Sequence, residues 1–308
     1  MKEYSTLGIV LLKRCSSSCL TCCFGCLPSD MEELEVDKIK TLIDETKDFP
    51  DIKHVSFTGG EVFLRFDDFL ELTEYSSKKG LRVSCVTNGY WAKSLEKAIE
   101  KLALLKEKGL SVLNISFDEY HLEYIEAENI NNAMIAAEKL NLPTLVNIAV
   151  EAKESGAKIV DMFSEKITNL TLKISPLLPA GKAKNLPKEI FKRNIENIGL
   201  RCPFDRVFTV LYDGFVYPCC SIFVKETALK VANINTSNLT EIFRKIKNNA
   251  LLYILRNRTF DALNDVAAQL GFDVPKYVSS PCEVCATYFC EENIMKFAEY
   301  IKKEAATV

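Results

Sequence analysis

The stretch CSSSCLTCCFGC, residues 15–26, carries five of the twelve cysteines in a chain of 308 residues. Within it Cys15, Cys19 and Cys22 stand as C-x3-C-x2-C. Three thiolates on one tight loop can hold three irons of a four-iron cluster and leave the fourth iron open, whereas a structural zinc asks for a closed tetrahedron of four ligands. A zinc knuckle that takes Cys23 or Cys26 as its fourth ligand is the competing reading.

Working outward, composition narrows the setting of that loop. The chain is long enough to bury a core without disulfides, and its 48% hydrophobic and 26% charged content is that of a globular protein. A formal net charge of −3 with no basic stripe speaks against a nucleic-acid partner. The apolar run Leu7–Leu12 ends at Lys13-Arg14 and is too short for a signal sequence or a membrane span. We therefore expect a cytoplasmic protein with no membrane partner. Thiols stay reduced there, so clustered cysteines read as metal ligands or catalysts.

Along the chain, short β-rich runs alternate with segments of helical period: LGIVLL, HVSFTGG, RVSCVTNG, VLNISFD, TLVNIAV and LTLKISPLL. Six βα units argue for a parallel α/β sheet, open or curled into a partial barrel, with function at the C-terminal strand ends. Five loops should meet there: the cysteine loop, Thr58–Glu61, Thr87–Gly89, Asp118–His121 and Pro179–Lys182. Beyond Lys184 the pattern turns irregular around one expected helix from Leu239 to Leu255 and another from Phe260 to Leu270.

The cysteine loop after a first strand, together with Gly59-Gly60-Glu61 after a second, resembles the radical S-adenosylmethionine (SAM) enzymes. The resemblance implies a partial (β/α)6 TIM-like barrel over residues 1–190, with SAM as cofactor. In it Cys15, Cys19 and Cys22 would hold a 4Fe-4S cluster, and Gly59, Gly60 and Glu61 would bind the methionyl ammonium. Two glycines allow close backbone approach, and a carboxylate at a strand end is expected to be solvated and free to accept from the ammonium. By the same resemblance Asn88, Ser116, Asp118 and Asn147 would line the rest of SAM, although turn and cap chemistry explains such residues equally well. One departure is Thr21, where many relatives place an aromatic residue before the third cysteine.

Cys202, Gly214-x4-Cys219 and Cys282-x2-Cys285 resemble the SPASM or twitch extension of these enzymes, a small C-terminal iron-sulfur region expected over residues 191–308. Its four thiolates would close a second 4Fe-4S cluster; a structural zinc on the same four is the alternative. If Gly214–Cys220 is extended, Cys219 and Cys220 face opposite ways, and a ligand at Cys219 leaves Cys220 as a free thiol aimed into the cavity between the clusters; Cys220 as buried filler, or the two cysteines with roles exchanged, is the competing reading. Cys85 reads as core filler, Cys290 as incidental, and His54 as a surface or packing residue.

The stretches CCFGC, SFTGGEVF, SFDEYH, YPCC and SSPCEVC further resemble the YydG-like radical SAM peptide epimerases, the epipeptide synthases. That likeness implies a ribosomal precursor peptide as substrate and removal of its α-hydrogen by a 5′-deoxyadenosyl radical. Cys220 would then return hydrogen from the other face, with Asp205 as a substrate anchor or proton carrier. It also implies an external electron donor of flavodoxin or ferredoxin type. Few residues precede the first strand, so we expect no fused leader-recognition domain. Rival readings are a maturase forming thioether or carbon–carbon crosslinks, a radical SAM dehydrogenase, and a non-catalytic zinc or iron-sulfur interaction module.

Overall fold

The structure is a computed structural model and describes residues 4–151, 153–163, 167, 170–204 and 206–306. Six strands, β1 (Thr6–Val10), β2 (His54–Thr58), β3 (Arg82–Thr87), β4 (Leu110–Ser116), β5 (Thr144–Val150) and β6 (Leu170–Pro176), run parallel in that order. Helices α1 (Val36–Glu45), α2 (Phe66–Lys78), α3 (Leu95–Glu107), α4 (Ala127–Lys139) and α5 (Lys153–Val160) connect them. The sheet stays open, with β6 at one edge, so the expected α/β partial barrel is the fold. The sixth unit departs from the pattern: β6 runs into short 3₁₀ turns at Gly181–Asn185 and Lys188–Ile190 where a helix was expected.

The strands alternate with two kinds of surface. Val55, Phe57, Val83, Cys85, Leu113, Ile115, Val146 and Ile148 are buried in the core beneath the helices. The other face carries the half-buried Ser56, Asn114, Ser116 and Asn147, with Ser84 buried and Lys173 exposed. Register puts Ser116, Asn147 and Lys173 in one row across β4, β5 and β6. Parallel strands buried on both faces read as continuous apolar runs. Here the period-two polar set marks the concave face of an open barrel, and it is hydrogen bonded: Ser84 Oγ donates to Ser56 Oγ at 3.0 Å, and His54 Nε2 meets Ser84 Oγ at 2.9 Å. His54 is thus a packing residue, as expected.

The C-terminal region adds β7 (Ile195–Glu196), β8 (Val207–Val210), β9 (Phe215–Tyr217), β10 (Ala232–Asn233) and β11 (Tyr277–Val278). β8 lies parallel beside β1, and β9 and β10 continue the same sheet antiparallel, so both regions share one sheet. The expected single helix from Leu239 to Leu255 is two, α6 (Leu239–Lys247) and α7 (Ala250–Asn257). Asn248 caps the first, and the Asn249 side chain accepts from Leu252 N at 3.1 Å to start the second, because asparagine satisfies free helix-end amides better than it continues a helix. Helices α8 (Asp261–Gln269), α9 (Pro281–Tyr288) and α10 (Ile294–Ala306) complete the chain. Among the described residues no helix is long and apolar enough to cross a membrane.

Candidate active site

The strand-end loops do converge. Gly60 N donates to Leu12 O at 2.8 Å and Glu61 N to Arg14 O at 3.0 Å, which lays the Gly-Gly-Glu turn along the approach to the cysteine loop. A Cβ at Gly59 would come within 2.7 Å of Leu12 O, and one at Gly60 would drive into the carbonyls of Lys13 and Arg14. Two glycines are therefore needed for the chain itself to pass, before any ligand is considered. Asn88 Nδ2 reaches across from the end of β3 to Ser16 Oγ at 3.0 Å and Cys15 Sγ at 3.6 Å.

Glu61 corrects an expectation. Its carboxylate is fully buried, not solvated. Oε1 accepts from Phe63 N at 3.0 Å and Thr87 Oγ1 at 2.8 Å, and Oε2 accepts from Asn88 N at 2.7 Å. Burial outweighs these bonds and pushes the carboxyl up to about 7. The 3₁₀ turn Val62–Arg65, which starts at Glu61, folds Phe63 over the site and stacks it on Trp91 at 4.1 Å. Trp91 Nε1 in turn donates to Thr87 Oγ1 at 2.9 Å. Glu61 ties the second loop to the third, and Oε2, with one protein donor, keeps a further acceptor position.

Asp118 is buried, and its Oδ1 accepts from Tyr120 N, His121 N and His121 Nδ1, the last at 2.7 Å. Burial pulls the His121 imidazole down, but Asp118 outweighs it and holds His121 above its ordinary value. Both Glu61 and Cys22 lie within electrostatic reach of that imidazole. The sequence placed His121 in a strand-end loop but gave it no role of its own; its i, i+3 spacing from Asp118 was the available signal. Ser116, at the end of β4, and Asn147, in the middle of β5, stand side by side on the concave face.

The three loop thiols influence one another, as groups sharing one turn must. Burial pushes Cys15 up to about 11 and Cys19 to about 12. The Cys26 thiol and its backbone N–H, the latter at 3.3 Å, donate to Cys22 Sγ; these bonds pull Cys22 down to about 6 and hold Cys26 up. Cys26 is therefore placed to support the Cys22 sulfur. Among the described residues no three His, Cys, Asp or Glu groups meet at a single metal-ion position. Three neighbouring thiols on one loop, ringed by Glu61, Asn88 and His121, fit as donors to a cluster with one open corner.

Cys202, Cys219, Cys282 and Cys285 also lie within electrostatic reach of one another. Ser280 caps α9 and accepts from Cys282 N at 3.1 Å, fixing Cys282 in the first turn and Cys285 in the next. The extended run expected to reach Cys220 stops short: β9 ends at Tyr217, and Pro218 leads into irregular chain. The two neighbours still part company. Cys219 is half-buried against Val10, Leu211, Tyr212, Tyr217 and Val224, while Cys220 is exposed. The surrounding protein nonetheless desolvates the Cys220 thiol enough to push it up to about 11, and Cys282, Cys202 and Lys173 on β6 all lie within its electrostatic reach. Asp205 lies outside the described residues. Cys85 is in the core of β3, and Cys290 donates to Thr287 O at 3.6 Å on the flank of α9.

These features define an open α/β barrel built around a three-cysteine loop, with a cysteine-bearing appendage. The profile of the Radical SAM superfamily matches residues 9–163, and that of an iron-sulfur cluster-binding domain, SPASM, matches residues 202–286. The chain belongs to the radical SAM superfamily, which implies SAM and an iron-sulfur cluster, and its SPASM region points to further cluster binding. It is 30% identical over 312 residues, 97% of this chain and 96% of the other, to the putative peptide biosynthesis protein YydG of Bacillus subtilis (strain 168). It is thus a YydG-like radical SAM protein of peptide maturation. It is also 29% identical over 164 residues to 7-carboxy-7-deazaguanine synthase of Methanocaldococcus jannaschii, covering 50% of this chain and 63% of that one. Among solved structures, BtrN in complex with AdoMet and 2-DOIA superposes with a TM-score of 0.51 at 15% identity, covering 83% of this chain and 88% of that one, a likeness of fold alone.

Proposed function

We propose that the protein is a radical SAM peptide epimerase that converts L-residues to D-residues in a ribosomally made precursor peptide in the cytoplasm. A 4Fe-4S cluster on Cys15, Cys19 and Cys22 supplies, when bound, the electron that cleaves SAM to methionine and the 5′-deoxyadenosyl radical that takes the α-hydrogen. Gly59, Gly60 and Glu61 hold the SAM ammonium, with Asn88, Ser116, Asp118 and Asn147 along the rest of the molecule. Cys202, Cys219, Cys282 and Cys285 hold a second 4Fe-4S cluster.

Cys220 carries the distinctive step. A Cα radical is close to planar, so its new configuration depends on which face receives hydrogen. The Cys220 S–H bond breaks, a Cα–H bond forms on the face away from SAM, and a thiyl radical remains. One electron from a flavodoxin- or ferredoxin-type donor and one proton from water restore the thiol. The observation that supports this reading is the difference in burial of two adjacent cysteines: Cys219 packs against an apolar cluster, while Cys220, within reach of Cys202 and Cys282 as well, stands exposed with Lys173 of the concave face also in its electrostatic reach.

The test is anaerobic turnover with the precursor peptide in deuterated water. A thiol exchanges its hydrogen with solvent, so each inverted α-carbon should carry one deuterium. Product with a new thioether or carbon–carbon bond and no D-residue would favour the crosslinking maturase instead.

A further inference from the structure

The chain after β6 is where the two cysteine sites touch. Gly181 N donates to Glu226 Oε1 at 2.6 Å, and Glu226 closes the turn that follows Cys219 and Cys220. Lys182 N donates to Cys22 O at 3.1 Å. The Lys182 ammonium then reaches under the cysteine loop, donating to Ser18 O at 3.3 Å and Cys26 O at 3.4 Å. Gly181 has φ +59°, and a Cβ there would meet Cys22 O and the Cys23 Cα at 2.5 Å, so the strap lies flush against the loop and no other residue fits. On its other side Ala180 packs with Phe223 and Cys282.

Charge makes Lys182 more than a peg. Lys13, the other lysine of this corner, is neutralised by Asp30 and Glu32, each at 3.1 Å. Among the described residues no carboxylate pairs with Lys182. Lys182 as a residue is half-buried, and a partly buried charge is screened less than one at the surface. Reduction adds one negative charge to a cluster, and a fixed cation nearby favours the reduced form, since cluster potentials follow net charge and hydrogen bonding around the sulfurs.

We infer that Lys182 is a positioning residue that pins the Cys15–Cys26 loop to the auxiliary site and whose charge eases one-electron reduction of a cluster bound on that loop. The inference rests on the assignment of Cys15, Cys19 and Cys22 as its ligands. It adds a link between the two sites: one short strap, held at Cys22 on one side and at Glu226 and Cys282 on the other, sets how abstraction and return lie relative to each other.

The experiment is an EPR-monitored redox titration of reconstituted wild type, Lys182→Met, Lys182→Arg and Glu226→Gln, in the presence of SAM. Lys182→Met should lower the reduced-to-oxidised ratio of the SAM-site cluster about tenfold at a fixed poise, about 59 mV for a one-electron couple. The auxiliary signal should stay in place. Lys182→Arg, which keeps the charge, should restore the wild-type ratio. Glu226→Gln loosens the strap without removing the cation and should leave the ratio unchanged. In the cluster-free proteins, alkylation of Cys22 and Cys26 should be faster in Lys182→Met than in wild type, a readout that needs no cluster. A wild-type SAM-site signal with an unchanged ratio in Lys182→Met overturns the charge role, and equal shifts in Lys182→Met and Glu226→Gln reduce it to a structural one. Wild type that shows no SAM-responsive signal refutes the ligand assignment, and the inference with it.

Discussion

Cys15, Cys19 and Cys22 come from a single loop, whereas Cys202, Cys219, Cys282 and Cys285 come from three segments spread across residues 202–285. The first loop is held by its own backbone: Cys22 N donates to Cys19 O and Gly25 N to Cys22 O, both at 3.2 Å, and the Gly59-Gly60 turn braces its entry. The second set is gathered from segments distant in sequence: Phe223, in the turn after Cys219 and Cys220, packs with Cys282 and Ala286 of α9. A local loop can hold its donors ready before metal arrives. A dispersed set instead converts metal binding into tertiary stability, because ligation closes long stretches of chain.

The largest test of that contrast changes Cys15, Cys19 and Cys22 together to Ala. 5′-Deoxyadenosine formation should be abolished while roughly four irons per chain remain on the second set, as iron analysis and product assay would report. Iron content equal to wild type would break the assignment of two sites.

Metal removal should separate the regions next. Chelation of the reconstituted protein should speed amide exchange in β9 and α9 by more than tenfold while β2 to β5 keep their protection, since opening free energies differ locally. Uniform loss of protection would mean that the second set is no more metal-dependent than the first.

Glu61→Ala strands three donors, Phe63 N, Thr87 Oγ1 and Asn88 N. Each buried orphan costs about 1–3 kcal/mol, so the cluster-free variant should lose several kcal/mol in urea unfolding, besides weakening SAM binding. The pH dependence has a definite sign. Glu61 rises from 4.5 to about 7 on folding, so between those values the folded chain keeps a proton that the unfolded chain has released. Stability should therefore fall as pH climbs through this window and level off above it. Glu61→Gln should lack that component, and identical slopes for wild type and variant would contradict the buried carboxyl.

At the small end, Asn238→Ala removes the capping box of α6, in which Asn238 Oδ1 accepts from Glu241 N at 2.9 Å. It should cost about 1 kcal/mol and leave 5′-deoxyadenosine formation untouched. A larger functional effect would mean that the C-terminal helices bear on the site.

Most of this was written plainly in the chain where physics is local. The six strands announce themselves through β-branched runs, and the inner face shows in the alternation of Asn114, Ser116, Asn147 and Lys173 with apolar neighbours. The cysteine spacing is likewise a one-loop property. Glu61 misled because a carboxylate beside two glycines reads as exposed, and two of its three donors come from Thr87 at the end of β3 and Asn88 just after it. The break at Asn248-Asn249 was hidden by apolar periodicity running through both helices. The loop Pro179–Lys182 was legible as a strand-end loop, but the role of Lys182 and that of Glu226 were not: Lys182 meets the cysteine loop and Glu226 meets Gly181, partners distant in sequence that only the fold brings together.

The central claim is that Cys220, and not its neighbour, returns the hydrogen. Its most direct test is product analysis of Cys220→Ala with the precursor peptide, beside Cys219→Ala. Cys220→Ala should keep wild-type iron content and still form 5′-deoxyadenosine when peptide is present, yet yield little D-residue, whereas Cys219→Ala should lose iron. D-residue carrying solvent deuterium from Cys220→Ala at the wild-type rate would contradict the account and move the donor to another group.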